Sequence, residues 1–476
     1  MRLGQKSVIH FLSRTVASVL GFVASVYIAR LLGADVLGTY SLATAVVSWL
    51  GLVGTMGFTS AVKKRVSEQQ EPSAYAIAGL VIMASLFFIL SLGLIVFSGA
   101  VNDYIGSNVV YYIIGMVAVS LGVSLVSAIL NGQHLVHISG LLGPIKTGSR
   151  AGLQIAAILA SLSLAGLLGG YIIGYMIVVF LGSIIVIRSF DEVTLPRRHH
   201  FSRILAFAKF SWLGNLRSQA FNWVDIAVLG FFVSNSFIGY YTASWNIAMF
   251  LVLFGSSLSQ TLFPEISKLS AEDDLEYVSE LINSGLSYAG LFLIPGLVGG
   301  AILGNKILRI YGSDFTQAWL VLTILIAAAL IQSYQAQITN TLNAIDHPEL
   351  SFRVNITFIT ANVILNIALI YIYGWTGAAV ATASSVAISL CVAYYYLSSI
   401  VQFDIPVREI INQSFAAILM AVVVLAGIHI ETVYLSIDQN IAVLFSLVLT
   451  GATVYFAILF VISAQFRDTV SNNLSV

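Results

Sequence analysis

The chain is poor in two things that most folded proteins use freely. Of 476 residues, one is cysteine and only 9% are charged. The single Cys391 lies in an apolar run, so neither a disulfide nor a cysteine metal site is available. Soluble domains carry about 25% charged residues. A water-soluble fold could not cover its surface with so few, which makes this a polytopic membrane protein. A cytosolic enzyme, a secreted disulfide scaffold and a disordered chain are excluded. The 21 basic and 21 acidic residues cancel, leaving no overall electrostatic footprint for nucleic acid. No Walker loop, HExxH or nucleophile elbow occurs. ATP hydrolysis and proteolysis therefore have no residues to run on, and no enzymatic activity is expected.

What the chain has is apolar length, with 58% hydrophobic residues. At about 20 residues per span, the runs divide into about fourteen transmembrane helices. They fall at 8–30, 37–61, 74–98, 109–131, 144–165, 168–187, 205–233, 237–262, 278–303, 317–344, 352–373, 376–399, 409–430 and 440–463. The expected fold class is an all-α polytopic membrane protein. Val8–Leu32 is basic and then apolar like a signal peptide, but Arg14 interrupts it, so it reads as the first span. Basic residues concentrate in alternate loops: Arg2 and Lys6, Lys63-Lys64-Arg65, Lys146, Arg188 to Lys209, Lys268, Arg353, Arg408 and Arg467. The opposite loops keep only Arg30, Lys306 and Arg309. This bias predicts cytoplasmic N- and C-termini in a multi-pass protein of the cell membrane.

The longest internal hydrophilic stretch, Arg188–Arg203, divides six spans from eight, and the two sides look alike. Asp35-Val-Leu-Gly-Thr-Tyr-Ser41 is answered 201 residues later by Ser236-Phe-Ile-Gly-Tyr-Tyr-Thr242. Leu130-Asn131-Gly132 recurs as Leu342-Asn343-Ala344, and Gly166-Leu-Leu-Gly-Gly170 as Gly374-Trp-Thr-Gly-Ala378. The expected organisation is an N-terminal six-helix lobe (1–188), a cytoplasmic linker (189–203), a pseudo-symmetric C-terminal six-helix lobe (204–399) and two additional transmembrane helices with a cytoplasmic tail (400–476). Parallel repeats of this kind are a transporter architecture, with substrate bound between the halves.

The segment from Tyr27 to Tyr40 (YIARLLGADVLGTY), followed by an apolar span and Lys63-Lys64-Arg65, resembles the start of polysaccharide-biosynthesis flippases. These belong to the multidrug/oligosaccharidyl-lipid/polysaccharide exporter superfamily. Phe237-Ile-Gly-Tyr-Tyr241 and Phe263-Pro264-Glu265-Ile266-Ser267 are similar to the family's second half. The resemblance implies translocation of a lipid-linked sugar or oligosaccharide from the cytoplasmic to the outer leaflet, for surface polysaccharide or protein glycosylation. The carrier would be a polyprenyl or dolichyl phosphate or diphosphate. The alternative is a cation-coupled multidrug exporter of the same superfamily. Implied partners are the lipid-linked glycan, membrane lipids and the pathway's glycosyltransferases or its polymerase or oligosaccharyltransferase.

Several residues are candidates for the chemistry. Arg2, Lys6, His10 and Arg14 recur every four residues, forming one helical stripe from the cytoplasm into the bilayer. Arg14 lies eight residues beyond Lys6, about 12 Å further in. A charge at such depth costs about 2.5–3.5 kcal/mol on insertion scales, so it needs water, a carboxylate or an anionic ligand. Arg217 lies near the repeat equivalent of Arg14, and with Lys6 and His10 the two arginines form the expected phosphate-binding set. Gln332, Gln335, Thr339 and Asn343 share helical spacing and suit either sugar hydroxyls or helix–helix bonds. Asp225 is the main carboxylate inside a span. Resemblance to sodium-linked lipid II members implies a cation site at Asp225, Asn362, Asn366 and Thr382. Here Asn366 stands where that member has an acid, which weakens a sodium site; asparagines bridging helices, or a proton on Asp225, are the alternatives. No resident cofactor is expected. If a coupling ion is used it is Na⁺ or H⁺, and no other metal is expected.

Overall fold

The computed structural model describes the backbone of residues 3–211, 213–271, 275–432 and 441–474. Side chains are described over 15–208, 216–252, 266, 278–432 and 441–471. Among the described residues every regular element is a helix, and each expected span coincides with one helix or with two in succession.

Helix α1 (Leu3–Thr55) takes in the first two spans, broken at Gly33, whose φ of 81° and ψ of 177° suit glycine alone. After the turn at Met56–Gly57, α2 (Phe58–Ser67) carries Lys63-Lys64-Arg65. Pro72 sits in the first turn of α3 (Pro72–Val96), where its missing N–H costs nothing. Then come α4 (Ser98–Ile105), α5 (Val110–Gly132), α6 (Val136–Leu159) and α7 (Ser163–Arg188). The seventh expected span coincides with α8 (Arg198–Ser211) and α9 (Leu213–Phe232), and the eighth with α10 (Asn235–Ala271). The ninth is α11 (Leu275–Ala289) with α12 (Leu293–Leu308). A 3-10 turn at Ser313–Ala318 leads into α13 (Trp319–Ala344), followed by α14 (Pro348–Tyr373) and α15 (Trp375–Ser398). The last two spans are α16 (Val407–Ile430) and α17 (Ile441–Ile462), and α18 (Ala464–Leu474) follows them. Ten helical stretches among the described residues are long and apolar enough to cross a membrane. Helix α6 is outside that set because polar residues recur along it.

The chain divides into two compact units, Met1–Thr242 and Ala243–Val476. In the first, the hydrophilic stretch 189–203 is tied down on the α2–α3 turn. The Thr194 N–H donates to Ser73 Oγ at 3.0 Å, and the His200 ring bonds Glu71 at 2.9 Å. Arg203 donates to the Tyr75 hydroxyl at 2.8 Å and reaches Glu68 at 3.4 Å. These bonds place α8 against α2 and α3. Helices that the repeat assigns to the second lobe thus pack within the first compact unit.

The second unit has two apolar clusters. One joins α11, α13, α14 and α15 around Leu342, Val354 and Leu397; the other joins α12, α16 and α17 around Ala416, Met420 and Tyr455. Lys306 of α12 pairs with Glu431, just beyond α16, at 2.7 Å. That bond fixes the first of the two additional helices to the repeat.

The repeat is visible in backbone geometry. The Leu135 N–H donates to the Leu130 carbonyl at 2.9 Å, and 212 residues later the His347 N–H donates to the Leu342 carbonyl at 2.9 Å. His134 and Asp346, also 212 apart, both take the left-handed conformation, with φ 60° and 59°. The break at Gly33 matches the α9–α10 junction at Ser234, 201 residues on. There the matched segments touch. A Cβ on Gly38 would fall 1.7 Å from the Asn235 carbonyl oxygen, and one on Gly239 would fall 2.0 Å from that of Ala34. Ala34 and Asn235, like Gly38 and Gly239, are 201 residues apart. Each segment therefore makes with the other the contact that it receives, as a two-fold axis requires.

Candidate functional site

Polar side chains inside a bilayer face protein or water, and ionisable ones mark function by default. In the first unit they gather where α6 passes between α1 and α7. Lys146, Arg150 and Gln154 are four residues apart and form one stripe on α6. Because α6 begins at Val136, and not at 144 as its apolar run suggests, Lys146 lies ten residues in, about 15 Å along the helix. It is a mid-helix cation, not a loop anchor. Arg150, one turn further, is a cation that reading by apolar runs passed over. The four-residue stripe was the signal that would have found it.

Two glycines bring the helices together. A Cβ on Gly174 would lie 2.7 Å from the Arg150 backbone, and one on Gly170 would lie 2.9 Å from the Gln154 side chain. Close approach through small residues is how helices associate in lipid, where apolar burial gives no drive. Ser149 reinforces the contact by donating to the Gly174 carbonyl at 3.0 Å. Buried Gln154 donates to the Tyr40 hydroxyl and to the Leu167 carbonyl, each at 2.9 Å. Tyr171 and Tyr175 stack with ring centroids 4.0 Å apart. The Lys146 ammonium lies 5.4 Å from the Tyr175 ring centroid, and Arg150 sits beside Tyr40, Tyr171 and Tyr175. Among the described residues no carboxylate pairs with either cation.

The other candidates are distributed as follows. Lys6, His10 and Arg14 stand on α1, but their side chains lie outside the described residues. Arg217 is half-buried on α9. Asp225 of α9 is 4% exposed and accepts a hydrogen bond from the buried Tyr241 hydroxyl of α10. Tyr104 of α4 donates to the Ala227 carbonyl at 2.5 Å, holding the same stretch of α9. In the second unit, Asn362 donates to Thr382 at 3.3 Å, and Asn366 donates to the Asn362 carbonyl at 2.9 Å. All three are essentially unexposed; the first bond bridges α14 to α15, and the second closes back on α14 itself. Gln335 donates to Thr339 at 3.1 Å, and the Thr339 hydroxyl returns to the Gln335 carbonyl at 2.7 Å, both sealed inside. Gln332 is half-buried and Asn343 exposed. The four positions on α13 thus share spacing but not environment.

Glu71, His199 and His200 also come together, their ligand atoms within 4.8 Å of one another. His200 Nδ1 accepts the Arg197 N–H at 2.9 Å, so Nε2 carries the proton and donates to Glu71. That geometry is a tether for the linker. A metal would need the Nε2 lone pair that this tautomer lacks.

The fold and its interior define a class: an all-helical, multi-pass membrane protein built as an internal repeat with cations among buried aromatics. Residues 3–270 match the family model for polysaccharide biosynthesis proteins, more than half of the chain, and the chain belongs to that family. It is 30% identical to the probable flippase AglR of Haloferax volcanii, over 100% of this chain and 99% of that one. It is 26% identical to the probable low-salt glycan biosynthesis flippase Agl15 of the same organism, again over 100% and 99%. Among solved structures it is similar to the lipid II flippase MurJ in an inward closed conformation. The TM-score is 0.80 at 18% identity, covering 97% of this chain and all of that one.

Proposed function

We propose that this protein is a flippase that carries a lipid-linked sugar or oligosaccharide from the cytoplasmic to the outer leaflet of the cell membrane. The observation that carries the reading is family membership along the chain combined with a repeat whose matched segments meet reciprocally at Gly38–Asn235 and Gly239–Ala34. Two like halves sharing a symmetric contact are the parts that alternating access needs: they rock about a site, open first inward and then outward. The substrate's phosphate is the difficult group, because a bare ion in low dielectric costs tens of kcal/mol by Born estimates. In this reading Arg14, with Lys6 and His10 below it and Arg217 on α9, neutralises the phosphate during passage, while the lipid tail stays in the bilayer. Gln332, Gln335, Thr339 and Asn343 are assigned to the sugar side. Asp225, Asn362, Asn366 and Thr382 are assigned to coupling with Na⁺ or H⁺. Both termini are cytoplasmic, and the natural partners are the enzymes that assemble and transfer the glycan.

The test is translocation of a short-chain lipid-linked saccharide in proteoliposomes. Arg14→Ala is expected to abolish it with membrane insertion intact; unchanged transport would remove Arg14 from the mechanism. Replacing Na⁺ by K⁺, and separately imposing a pH gradient, assigns the coupling ion. Insensitivity to both would take Asp225 out of the energetics. Export of an organic cation with no movement of lipid-linked saccharide would favour the drug-exporter reading instead.

A further inference from the structure

The proposed phosphate path begins on α1, yet the cations with described surroundings are on α6. Lys146 and Arg150 are half-buried, well inside the helix, with phenol rings as neighbours and no carboxylate paired to either among the described residues. Helices α1, α6 and α7 together contain one acid, Asp35, against Lys6, Arg14, Arg30, Lys146, Arg150 and Arg188. The Arg150 Nε is buried and has no hydrogen-bond partner. Across the contact with α1, a Cβ on Gly21 would still stand 4.0 Å from the Arg150 guanidinium, so no side chain from that position crowds it.

Packing does not explain these cations. The α5–α6 and α13–α14 turns superpose by their hydrogen bonds at an offset of 212 residues. At that offset Lys146 corresponds to Phe358 and Arg150 to Asn362, both neutral and sealed inside the second unit. The same helix pair thus folds without charge, and the charge in the first unit serves something other than the fold. Planar guanidinium and ammonium donors beside aromatic faces suit an oxyanion presented on a sugar. The fork binds two oxygens, the rings pack the pyranose, and the dry surroundings strengthen each bond.

We propose that Lys146 and Arg150, backed by Tyr171 and Tyr175, form a binding station for an oxyanion of the glycan-lipid. Its source is either the head-group phosphate or the carboxylate of an acidic sugar. Gln154 and the Gly170/Gly174 seat hold the station in register. The inference rests on the flippase reading, but it is tested by binding, apart from translocation.

The experiment is calorimetric titration of the full-length protein in nanodiscs. The probes are geranylgeranyl diphosphate and glucuronate, each against its neutral counterpart, geranylgeraniol or glucose. R150Q and K146Q are expected to weaken at least one charged probe about tenfold or more, the loss typical of a charged hydrogen bond, and to leave the neutral probes unchanged. R150K should fall between, since the charge persists without the fork. Selective loss of the diphosphate assigns the station to the head group; selective loss of glucuronate assigns it to an acidic sugar. Charged probes that bind R150Q and K146Q as tightly as wild type overturn the proposal. Should R150Q not fold, K146Q and R150K decide between the same two outcomes by the same titration. Wild-type translocation together with unaltered variants overturns the station and leaves the flippase standing. A wild type that moves no lipid-linked saccharide overturns both.

Discussion

Helices α6 and α14 leave the same kind of turn, with His134 and Asp346 in matching left-handed conformations, and each packs against the helix that follows it. Their interior faces differ. On α6 the stripe reads Lys146, Arg150, Gln154; on α14 the same positions read Phe358, Asn362, Asn366. In the second unit every polar group on the stripe is sealed: the Asn362 amide bridges to Thr382 of α15, and the Asn366 amide bonds the Asn362 carbonyl of its own helix. In the first unit Gln154 is consumed in this way and Arg150 bonds Tyr175, while both cations stay half-exposed between rings. A repeat conserves backbone geometry because turns and glycine seats fix it. It leaves side chains free to diverge, so one copy can serve as structure while the other carries chemistry.

Four substitutions and one control would break or sharpen that contrast. The largest effect is expected from Asn362→Arg, which puts into the second unit the charge that its partner position tolerates. An unpaired buried charge costs about 3–5 kcal/mol, so thermal unfolding should show a collapsed or absent folded state. Wild-type stability would mean that the second face is as open as the first. Next is Gly38→Ala, where a Cβ cannot coexist with the Asn235 carbonyl at 1.7 Å. Overpacking of this kind costs about 1–3 kcal/mol, and the matched contact at Gly239 should loosen with it. Gly93→Ala, with nothing within 4 Å, is the control and should stay within about 0.5 kcal/mol.

A smaller loss is expected from Asp225→Asn. The Tyr241 hydroxyl keeps an acceptor but exchanges a carboxyl oxygen for an amide oxygen, at about 1 kcal/mol. Any dependence of transport on Na⁺ or pH should vanish in this variant, and its persistence would clear Asp225 of coupling. Apart from the Gly93 control, the smallest effect on stability, within about 1 kcal/mol, is expected from Arg150→Asn, which copies the second repeat into the first. Unfolding at the wild-type temperature together with lost binding of a charged probe would separate chemistry from fold. A large drop in stability would make Arg150 a structural residue.

Much of the fold was readable in order. Apolar runs located the helices, ten stretches of which are long and apolar enough to cross a membrane among the described residues, because lipid admits only self-satisfied backbone, and the Gly38/Gly239 and Leu130/Leu342 pairs pointed to the repeat. Helix starts were less readable. Polar residues such as His137 and Lys146 lowered the apparent apolarity of α6 and moved its start eight residues downstream, which hid Lys146 as an anchor and left Arg150 unnoticed. The α13 candidates shared a spacing, but spacing cannot tell sealed Gln335 from exposed Asn343.

By itself, then, the sequence determined the solvent, the helices, their order and their duplication, because each follows from local hydrophobicity and from short glycine or turn motifs. Only the tertiary structure decided which polar residues meet. It brought Tyr40, Arg150 and Tyr175 together from three helices, and it set Asn362 and Thr382 against each other. Those encounters depend on helix rotation and close approach, which glycine seats and hydrogen bonds between distant segments impose and no local pattern encodes.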